Sequence, residues 1–472
     1  MAVGRGKGPR MGLESLKARI LRSIKPTDEE IRFATYRANE IIARLKAATP
    51  RNVEIVTAGS VARGTQVRGS YDIDIFLLFP RSQDERRMEA EGLAIAKKIV
   101  NKRRGESFAI KYAEHPYVKV SFGDDKISAD IVPAFKIKDA TEIGSAVDRT
   151  PLHNEFVNKN LNGRQKDDVR ILKAFLKNHE VYGAEAKVRG FSGYLCELLI
   201  FNYGSFEGVI NAFSKMRLPL IVNVGNKLCI DPKSAEGVAL EKQFKSDFVF
   251  LDPTDINRNV AASVSQRSIA KLALLSKSML KKADMKTFSG PKYSTTMSRD
   301  RILALQKAMN IDIYLLAFKS DDIADDIVWE QLVKFRNRLG DLLAKNGFSP
   351  LQSFQNAGNG TCIVAFLINK SETGSVLLRG PSVFMGDAVN AFSGAHKASF
   401  ALFLENDRVV SLDKPRYSNA HELLSGLKRN NNVTIPSHLK PASSFLFVNS
   451  EIPESYAKLL YEAFESARIR NL

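Results

Sequence analysis

Residues 72–79 read Asp-Ile-Asp-Ile-Phe-Leu-Leu-Phe, and this stretch decides the fold. Side chains alternate between the two faces of a strand, so Asp72 and Asp74 point to one face with their Cα atoms roughly 6.6 Å apart. The run then becomes apolar on both faces, which predicts a strand that enters a buried sheet. Two solvated aspartates are the simpler interpretation. Burying unpaired carboxylates is costly, however, and a hard cation such as Mg²⁺ is a suitable partner for them.

Two other segments give this pair of aspartates a chemical context. Gly59-Ser60 precedes it by an interval of eleven residues, 61–71, and a third aspartate, Asp130, begins another apolar run. A glycine at a strand end lets backbone N–H groups approach a phosphate, and Ser60 and Arg63 can donate to its oxygens. An ordinary strand-to-helix connection has the same pattern. Three carboxylates beside a phosphate-binding turn indicate metal-dependent nucleotidyl transfer.

The composition bounds the class of protein. A chain of 472 residues is too long for one core, so two or three domains are expected. No run approaches the about 18 apolar residues of a membrane span, and we expect no membrane partner. Lys and Arg number 70 against 52 Asp and Glu, a net charge of +18. Such an excess favours binding to a polyanion, with nucleic acid as the leading candidate, although a solvated surface can carry the same charge.

Cysteine spacing and the N-terminus bear on the cellular location. Cys196, Cys229 and Cys362 show no pair spacing, which predicts neither a disulfide framework nor a cysteine metal site and fits the reducing cytoplasm. Residues 1–25 are basic but lack the apolar core of a signal peptide. A flexible basic arm leading into a helix and a transit peptide are both compatible with this segment.

The order of predicted elements divides the chain into three domains. A helix over 27–48, a helix near 84–101, and strands over 54–58, 72–79, 108–112, 117–121 and from 130 onward predict a first domain over 1–150. Helical patterns dominate 151–286, and a bridge rich in Gly, Pro, Ser and Thr follows at 287–298. Strand-helix-strand order then predicts an α+β module within 299–472. The expected fold class is a multidomain α+β protein with a mixed sheet, a helical central domain and an α+β C-terminal body and tail.

Several blocks of sequence resemble known families. The Gly-Ser turn followed by Asp-apolar-Asp-apolar is similar to the signature of the DNA polymerase β-like nucleotidyltransferase superfamily. More specific blocks resemble the archaeal (class I) CCA-adding tRNA nucleotidyltransferases, and these are Ser145–His153, Val181–Glu185, Lys187–Leu199, Asp252-Pro253 and Arg258–Ala262. The resemblance is close over about 55–265. It is loose over 300–472, where Arg379-Gly380-Pro381 is the best match.

The resemblance implies roles for individual residues. It implies a polymerase β-like head domain in which two Mg²⁺ ions are bound by the carboxylates Asp72, Asp74 and Asp130. It further implies that the incoming nucleotide is bound by six residues: Ser60 and Arg63 at the triphosphate, His153, Lys173 and Tyr182 around the phosphates and sugar, and Arg258 at the base edge. Taken singly, His153 could cap a helix, Lys173 could be a surface lysine, and Tyr182 could belong to the core.

The function implied by the resemblance is CCA addition. Such an enzyme adds C, C and A to the 3′ end of tRNA from CTP and ATP, uses no nucleic-acid template, and releases pyrophosphate. The implied partners are tRNA, held at its acceptor arm by the central and C-terminal domains, and a second copy of the chain in a homodimer. Two alternatives remain open: a poly(A) polymerase-like RNA 3′-nucleotidyltransferase, and a non-catalytic RNA-binding relative.

Overall fold

A computed structural model describes most of the chain. The described residues are 13–69, 71–101, 104–112, 115–122, 127–290, 298–320, 324–358, 360–369, 375–428 and 434–468. The start of the predicted basic arm and most of the predicted linker therefore lie outside the described residues. The chain divides into two compact units, Met1–Pro291 and Lys292–Arg470. In the described ranges, no helix is both long and apolar enough to cross a membrane.

The first part of the first unit is a five-stranded mixed sheet in the order β1-β2-β5-β4-β3. Strand β2 pairs antiparallel with β1 and parallel with β5, so it lies inside the sheet. The elements are α1 (Leu13–Ile24), α2 (Asp28–Ala48), β1 (Glu54–Ala58), α3 (Gly59–Arg63), β2 (Tyr71–Phe79), α4 (Glu85–Lys98), β3 (Ser107–Tyr112), β4 (Pro116–Ser121) and β5 (Ile127–Phe135). The predicted strands are all present, but β5 begins three residues before Asp130.

Local sequence explains the boundaries of these elements. Helix α2 begins with a capping box, in which Thr27 accepts from the Glu30 N–H and the Glu30 side chain accepts from the Thr27 N–H. Strand β2 is buried over its last five residues and open only around Asp72 and Asp74. Its apolar side chains pack in a core with those of α2, α4 and β5. The buried strand predicted from residues 72–79 is therefore confirmed.

The rest of the first unit packs helices around a second, larger core. Its elements are α5 (Thr150–Asn160), α6 (Gly163–Asn178), α7 (Gly193–Tyr203), α8 (Phe206–Lys215), β6 (Leu220–Asn223), β7 (Leu228–Ile230), α9 (Ala235–Phe244), β8 (Phe248–Asp252), β9 (Asp255–Asn259), α10 (Gln266–Lys281) and α11 (Met285–Ser289). The helices match the helical pattern of the sequence. A four-stranded sheet in the order β7-β6-β8-β9 lies among them and was not anticipated. Its strands are short, and the fully buried β8 shows no alternation that would distinguish it from a buried helix.

The apolar face of the N-terminal helix α1 packs in this second core, although the five-stranded sheet follows α1 in sequence. Leu16 and Ile20 are buried in the cluster formed by residues of α5 to α11. Lys17 is also buried, and its Nζ lies 2.8 Å from Asp168 Oδ1 on α6 and 2.8 Å from Glu207 Oε1 on α8. An apolar face and a buried ion pair together anchor α1.

The second unit contains two antiparallel sheets with flanking helices. Its elements are α12 (Ser298–Met309), β10 (Ile311–Ser320), α13 (Asp325–Lys345), β11 (Pro350–Gly358), β12 (Thr361–Asn369), β13 (Val376–Ser382), α14 (Gly386–Ala395), β14 (Ala401–Glu405), β15 (Arg408–Asp413), α15 (Ala420–Ser425), β16 (Leu439–Val448) and α16 (Glu454–Ala467). The sheets have the orders β11-β12-β10-β16 and β13-β15-β14. The predicted strand-helix-strand order is confirmed, with β11 added between α13 and β12.

Candidate active site

Strand register brings the three predicted carboxylates together. In the parallel pair β2–β5, Asp74 lies opposite Asp130 and Asp72 lies opposite Ser128. Neighbouring strands are about 4.8 Å apart, so the three aspartates share one face at one end of the sheet. Ser128 Oγ donates a hydrogen bond to Asp72 Oδ1. The side chain of Asp72 is 54% exposed, whereas those of Asp74 and Asp130 are turned further into the protein.

The electrostatics of this cluster favour a bound cation. Burial, together with the negative charges of Asp130 and Asp72, raises the pKa of Asp74 to about 7. Burial also raises the pKa of Asp130, and the ammonium of Lys119 only partly offsets this shift. The cation in contact is Lys119, whose Nζ lies 2.9 Å from Asp72 Oδ1 and 3.2 Å from Asp130 Oδ1. Three oxygen-donor carboxylates against one ammonium leave negative charge that suits hard divalent ions such as Mg²⁺.

The predicted Gly-Ser turn lies directly against these carboxylates. Gly59, the first residue of α3, has φ +75°, and a Cβ atom on it would lie 1.6 Å from Asp74 Oδ2. Both the backbone conformation and the close approach therefore require glycine here. Ser60 follows on α3 and is half-buried. The spacing of eleven residues in the sequence thus corresponds to a turn that touches the second aspartate of the pair.

Two of the predicted phosphate ligands meet at a buried glutamate. Arg63 Nε lies 2.9 Å from Glu197 Oε2, and Lys173 Nζ lies 3.5 Å from Glu197 Oε1. Lys173 Nζ donates to Thr65 Oγ1 at 3.1 Å, and Thr65 Oγ1 donates to Glu197. Glu197 on α7 is fully buried. Burial lowers the pKa of Lys173, and the negative charge of Glu197 opposes that shift. With Arg63 and Lys173 both protonated, the cluster carries one net positive charge, which suits a phosphate group.

Tyr182 lies beside the same cluster. A Cβ atom built on Gly193 would lie 3.2 Å from Tyr182 Oη and 3.7 Å from Lys173 Nζ, so the hydroxyl and the ammonium both flank this glycine. Burial raises the pKa of Tyr182 above its usual range, and the nearby Glu197 adds to the shift. Tyr182 therefore remains a neutral hydroxyl.

The remaining predicted residues, His153 and Arg258, meet at Asp252. His153 Nε2 lies 2.9 Å from Asp252 Oδ2, and Arg258 Nη1 donates to the same oxygen at 2.8 Å. Tyr194 donates to Asp252 Oδ1 at 3.1 Å and stacks on the His153 ring with centroids 3.9 Å apart. Burial opposes the charge on Asp252, but the hydrogen bonds from His153, Thr254 and Arg258 hold its pKa well below the usual range. The Arg258 side chain is 34% exposed, so part of it faces solvent.

The three clusters form one continuous site around Arg63. Burial dominates the pKa shifts of Asp74, His153 and Tyr182. The positive charge of Arg63 is near enough to act on all three: it opposes the raised pKa values of Asp74 and Tyr182 and adds to the lowering of the pKa of His153. The nine residues predicted from the sequence are therefore grouped in one region of the first unit. Five of their close partners were missed, namely Thr65, Lys119, Tyr194, Glu197 and Asp252. Tyr194, Glu197 and Asp252 lie in blocks that resemble the family, and Glu197 also interrupts the apolar run 194–203.

A second group of possible metal ligands lies on α4 and before β4. The ligand atoms of Glu85, Glu89 and His115 lie within 4.8 Å of one another. His115 Nδ1 lies 2.6 Å from Glu89 Oε1, so this nitrogen of the buried ring already has a hydrogen-bond partner. Metal on Nδ1 would leave a proton on Nε2, which is buried without a hydrogen-bond partner among the described residues, whereas metal-bound histidines almost always donate that proton. The group is best explained as a hydrogen-bonded contact between His115 and Glu89.

Three carboxylates on adjacent strands, a glycine turn against them and a buried basic cluster define a nucleotidyltransferase. Three protein-family models match successive parts of the chain: "Nucleotidyltransferase domain" over residues 38–153, "tRNA nucleotidyltransferase, second domain" over 167–289, and "CCA-adding enzyme, C-terminal domain" over 311–444. The first match confirms the predicted nucleotidyltransferase head.

Curated relatives from archaea identify the family. The CCA-adding enzyme of Methanocaldococcus jannaschii is 32% identical over 441 residues, which cover 91% of this chain and 94% of that protein. That of Methanosarcina acetivorans is 32% identical and covers 87% of this chain and 88% of its own length. That of Archaeoglobus fulgidus is 33% identical, with coverages of 87% and 89%. The chain belongs to the archaeal CCA-adding enzyme family, as its sequence blocks predicted.

Proposed function

We propose that this chain adds C, C and A to the 3′ end of tRNA from CTP and ATP, without a nucleic-acid template and with release of pyrophosphate. The observation that carries the proposal is the single site in which Asp72, Asp74 and Asp130 adjoin the Gly59 turn and the Arg63–Lys173–Glu197 cluster. One end of this site is acidic and suits metal ions. The other is basic and suits a triphosphate.

The carboxylates fit two Mg²⁺ ions by donor chemistry and charge. Asp72 and Asp74 would hold both ions, and Asp130 would share the ion next to the tRNA 3′-hydroxyl. When bound, such ions lower the pKa of the attacking hydroxyl and offset charge on the leaving pyrophosphate. The protein's own part is then to hold both substrates in line.

The remaining site residues would position the nucleotide. Ser60, Arg63 and Lys173 would donate to the triphosphate, with Lys173 braced by Thr65. His153 and Tyr182 would lie along the phosphates and sugar. Arg258 would donate to the base edge, since Asp252 orients one of its nitrogens while part of the side chain faces solvent.

Each of the three proposed domains would have a separate role. Residues 1–150 would carry the catalytic carboxylates, 151–286 would bind the nucleotide and the tRNA end, and 299–472 would bind the rest of the acceptor arm. The net charge of +18 supports contact with a polyanion. We place the enzyme in the cytoplasm, where a chain without cysteine pair spacing fits.

An incorporation assay tests the proposed function. Purified protein, Mg²⁺, CTP and ATP are incubated with a tRNA transcript that lacks its terminal CCA, and the products are resolved at single-nucleotide resolution. We expect addition of three nucleotides followed by a stop. A long run of adenosines would instead identify a poly(A) polymerase-like enzyme, and no addition would identify a non-catalytic relative.

Replacing Arg258 with alanine should relax the choice of nucleotide. Loss of a charged hydrogen-bond donor to the base edge should reduce the preference for CTP and ATP over UTP and GTP by about tenfold. Competition assays with all four nucleotides measure the preference. Arg104→Ala removes an exposed arginine paired with Glu40 and should leave the preference unchanged. A large fall in the melting temperature of Arg258→Ala, with selectivity retained, would show that Arg258 is structural.

We also propose that the chain forms a homodimer. The surface best suited to a second copy is the edge strand β14, where Leu402, Phe403 and Leu404 are 44%, 52% and 67% exposed. Phe400, just before it, is 85% exposed. Residues 400–404 carry no charge, so this strand suits an apolar protein surface better than tRNA phosphates. Sedimentation equilibrium should give a mass of about twice that of the chain, and a monomer at all concentrations would contradict the proposal.

A further inference from the structure

Lys119 occupies a position that the strand register determines. It lies on β4 directly opposite Asp130 on β5, so the two side chains emerge on the same face of the sheet. Its ammonium contacts one oxygen of Asp72 at 2.9 Å and one of Asp130 at 3.2 Å. The side chain of Lys119 is 31% exposed, and that of Asp72 is 54% exposed.

The two carboxylates that Lys119 contacts have a particular relation to the proposed metal ions. All three carboxylates would hold the ion next to the 3′-hydroxyl, and Asp130 would hold only that ion. Lys119 pairs with Asp72 and Asp130, whereas Asp74, which lies against Gly59, makes no ion pair with Lys119 among the described contacts. The ammonium therefore holds oxygens that this one ion needs. A divalent cation and an ammonium at the same oxygens repel each other, so one must leave when the other binds.

We propose that Lys119 is a positioning residue that acts as the counter-ion of Asp72 and Asp130 until the hydroxyl-activating metal ion displaces it. The inference rests on the proposed function, because it assumes that these carboxylates bind metal. In the metal-free enzyme, the ammonium of Lys119 holds the side chains of Asp72 and Asp130 in place and weakens binding of the hydroxyl-activating metal ion. Its flexible stem and partial exposure allow the ammonium to turn toward solvent when the ion arrives.

Direct metal binding to the nucleotide-free protein tests the proposal. Mn²⁺ binding is measured by electron paramagnetic resonance for the wild type and for Lys119→Met, Lys119→Arg and Lys136→Met. Removing one positive charge in contact with the ligands should tighten Mn²⁺ binding by about tenfold in Lys119→Met. Lys119→Arg keeps the charge and should not show the gain. Lys136, at the far end of β5 and paired with Glu54, is the matched control and should also show none.

A measurement on the unaltered protein keeps the test independent of folding in the variants. In the wild type, acetylation of Lys119 by acetic anhydride, followed by mass spectrometry, should increase on addition of Mn²⁺, whereas acetylation of Lys136 should not. Equal Mn²⁺ affinities of Lys119→Met and wild type, or unchanged acetylation, would overturn the role of Lys119. Mn²⁺ binding that survives both Asp74→Ala and Asp130→Asn would instead contradict the three-carboxylate site, and with it the proposed function.

Discussion

Substitution of Asp130 by alanine should reduce nucleotide addition by about 10³-fold or more, because a ligand of an activating metal ion supports several kcal/mol of transition-state stabilisation. Asp130 lies opposite Asp74 in the sheet, and its side chain is only 17% exposed, which leaves little surface for direct contact with tRNA phosphates. Binding of tRNA, measured by filter retention, should therefore remain within about twofold of the wild type. Primer extension with CTP on a tRNA lacking CCA measures the activity.

Two comparisons make the Asp130 result interpretable. Asp28→Ala removes an exposed acid from the first turn of α2 and should retain full activity. The melting temperature of Asp130→Ala should stay close to that of the wild type, because burial already disfavours the charged form of this side chain. Near wild-type addition by a folded Asp130→Ala protein would rule out the three-carboxylate site.

Replacement of Glu197 by alanine should lower the free energy of unfolding of the first unit by about 3–5 kcal/mol, since it leaves buried cations without their partner. Glu197 is fully buried, and both Arg63 and Lys173 are nearly so. Removing the carboxylate would leave the positive charges of Arg63 and Lys173 close together without a compensating anion. Differential scanning calorimetry of the full chain measures the loss.

A second substitution separates this electrostatic cause from a packing defect. Adding Lys173→Met to Glu197→Ala removes one of the two uncompensated charges and should recover part of the stability, as buried ion pairs often tolerate apolar replacement. Glu155→Ala, at an exposed position on α5, should change the stability by less than about 0.5 kcal/mol. A loss below about 1 kcal/mol for Glu197→Ala would mean that Arg63 and Lys173 are not held as the structure indicates.

The catalytic sheet was predictable from the sequence because its strands carry local signals. Strand β2 changes from alternating to continuous apolar residues, and the spacing of Asp72 and Asp74 alone places both on one face. The position of Asp130 beside Asp74 could not be predicted from a local pattern. It depends on the parallel register of β2 and β5, which no local pattern encodes; the sequence offered only an aspartate at the start of another apolar run, and family resemblance added its role as a metal ligand.

The unpredicted features depend on contacts between distant parts of the chain. Asp252 joins His153 to Arg258, and 99 residues separate it from His153 in sequence. Asp252-Pro253 lies in a block that resembles the family, but that block does not show which side chains Asp252 contacts. In the sequence, Lys119 is one polar residue of an alternating strand. Its contact with Asp130 depends on the pairing of β4 with β5. The strands β6 to β9 were missed for a simpler reason, since runs of three to five residues are too short for periodicity to identify.

The anchoring of α1 has a consequence for movement of the catalytic sheet. The chain leaves the second core after α1, builds the sheet, and returns to that core at α5, so two covalent connections join the sheet to its neighbour instead of one. A body held by a single connection can swivel in any direction. A body held at two points rotates most easily about the line that joins those points. The connections near Pro26 and Lys136 therefore restrict how the sheet can move against this core, and the buried Arg63–Glu197 ion pair between α3 and α7 restricts it further.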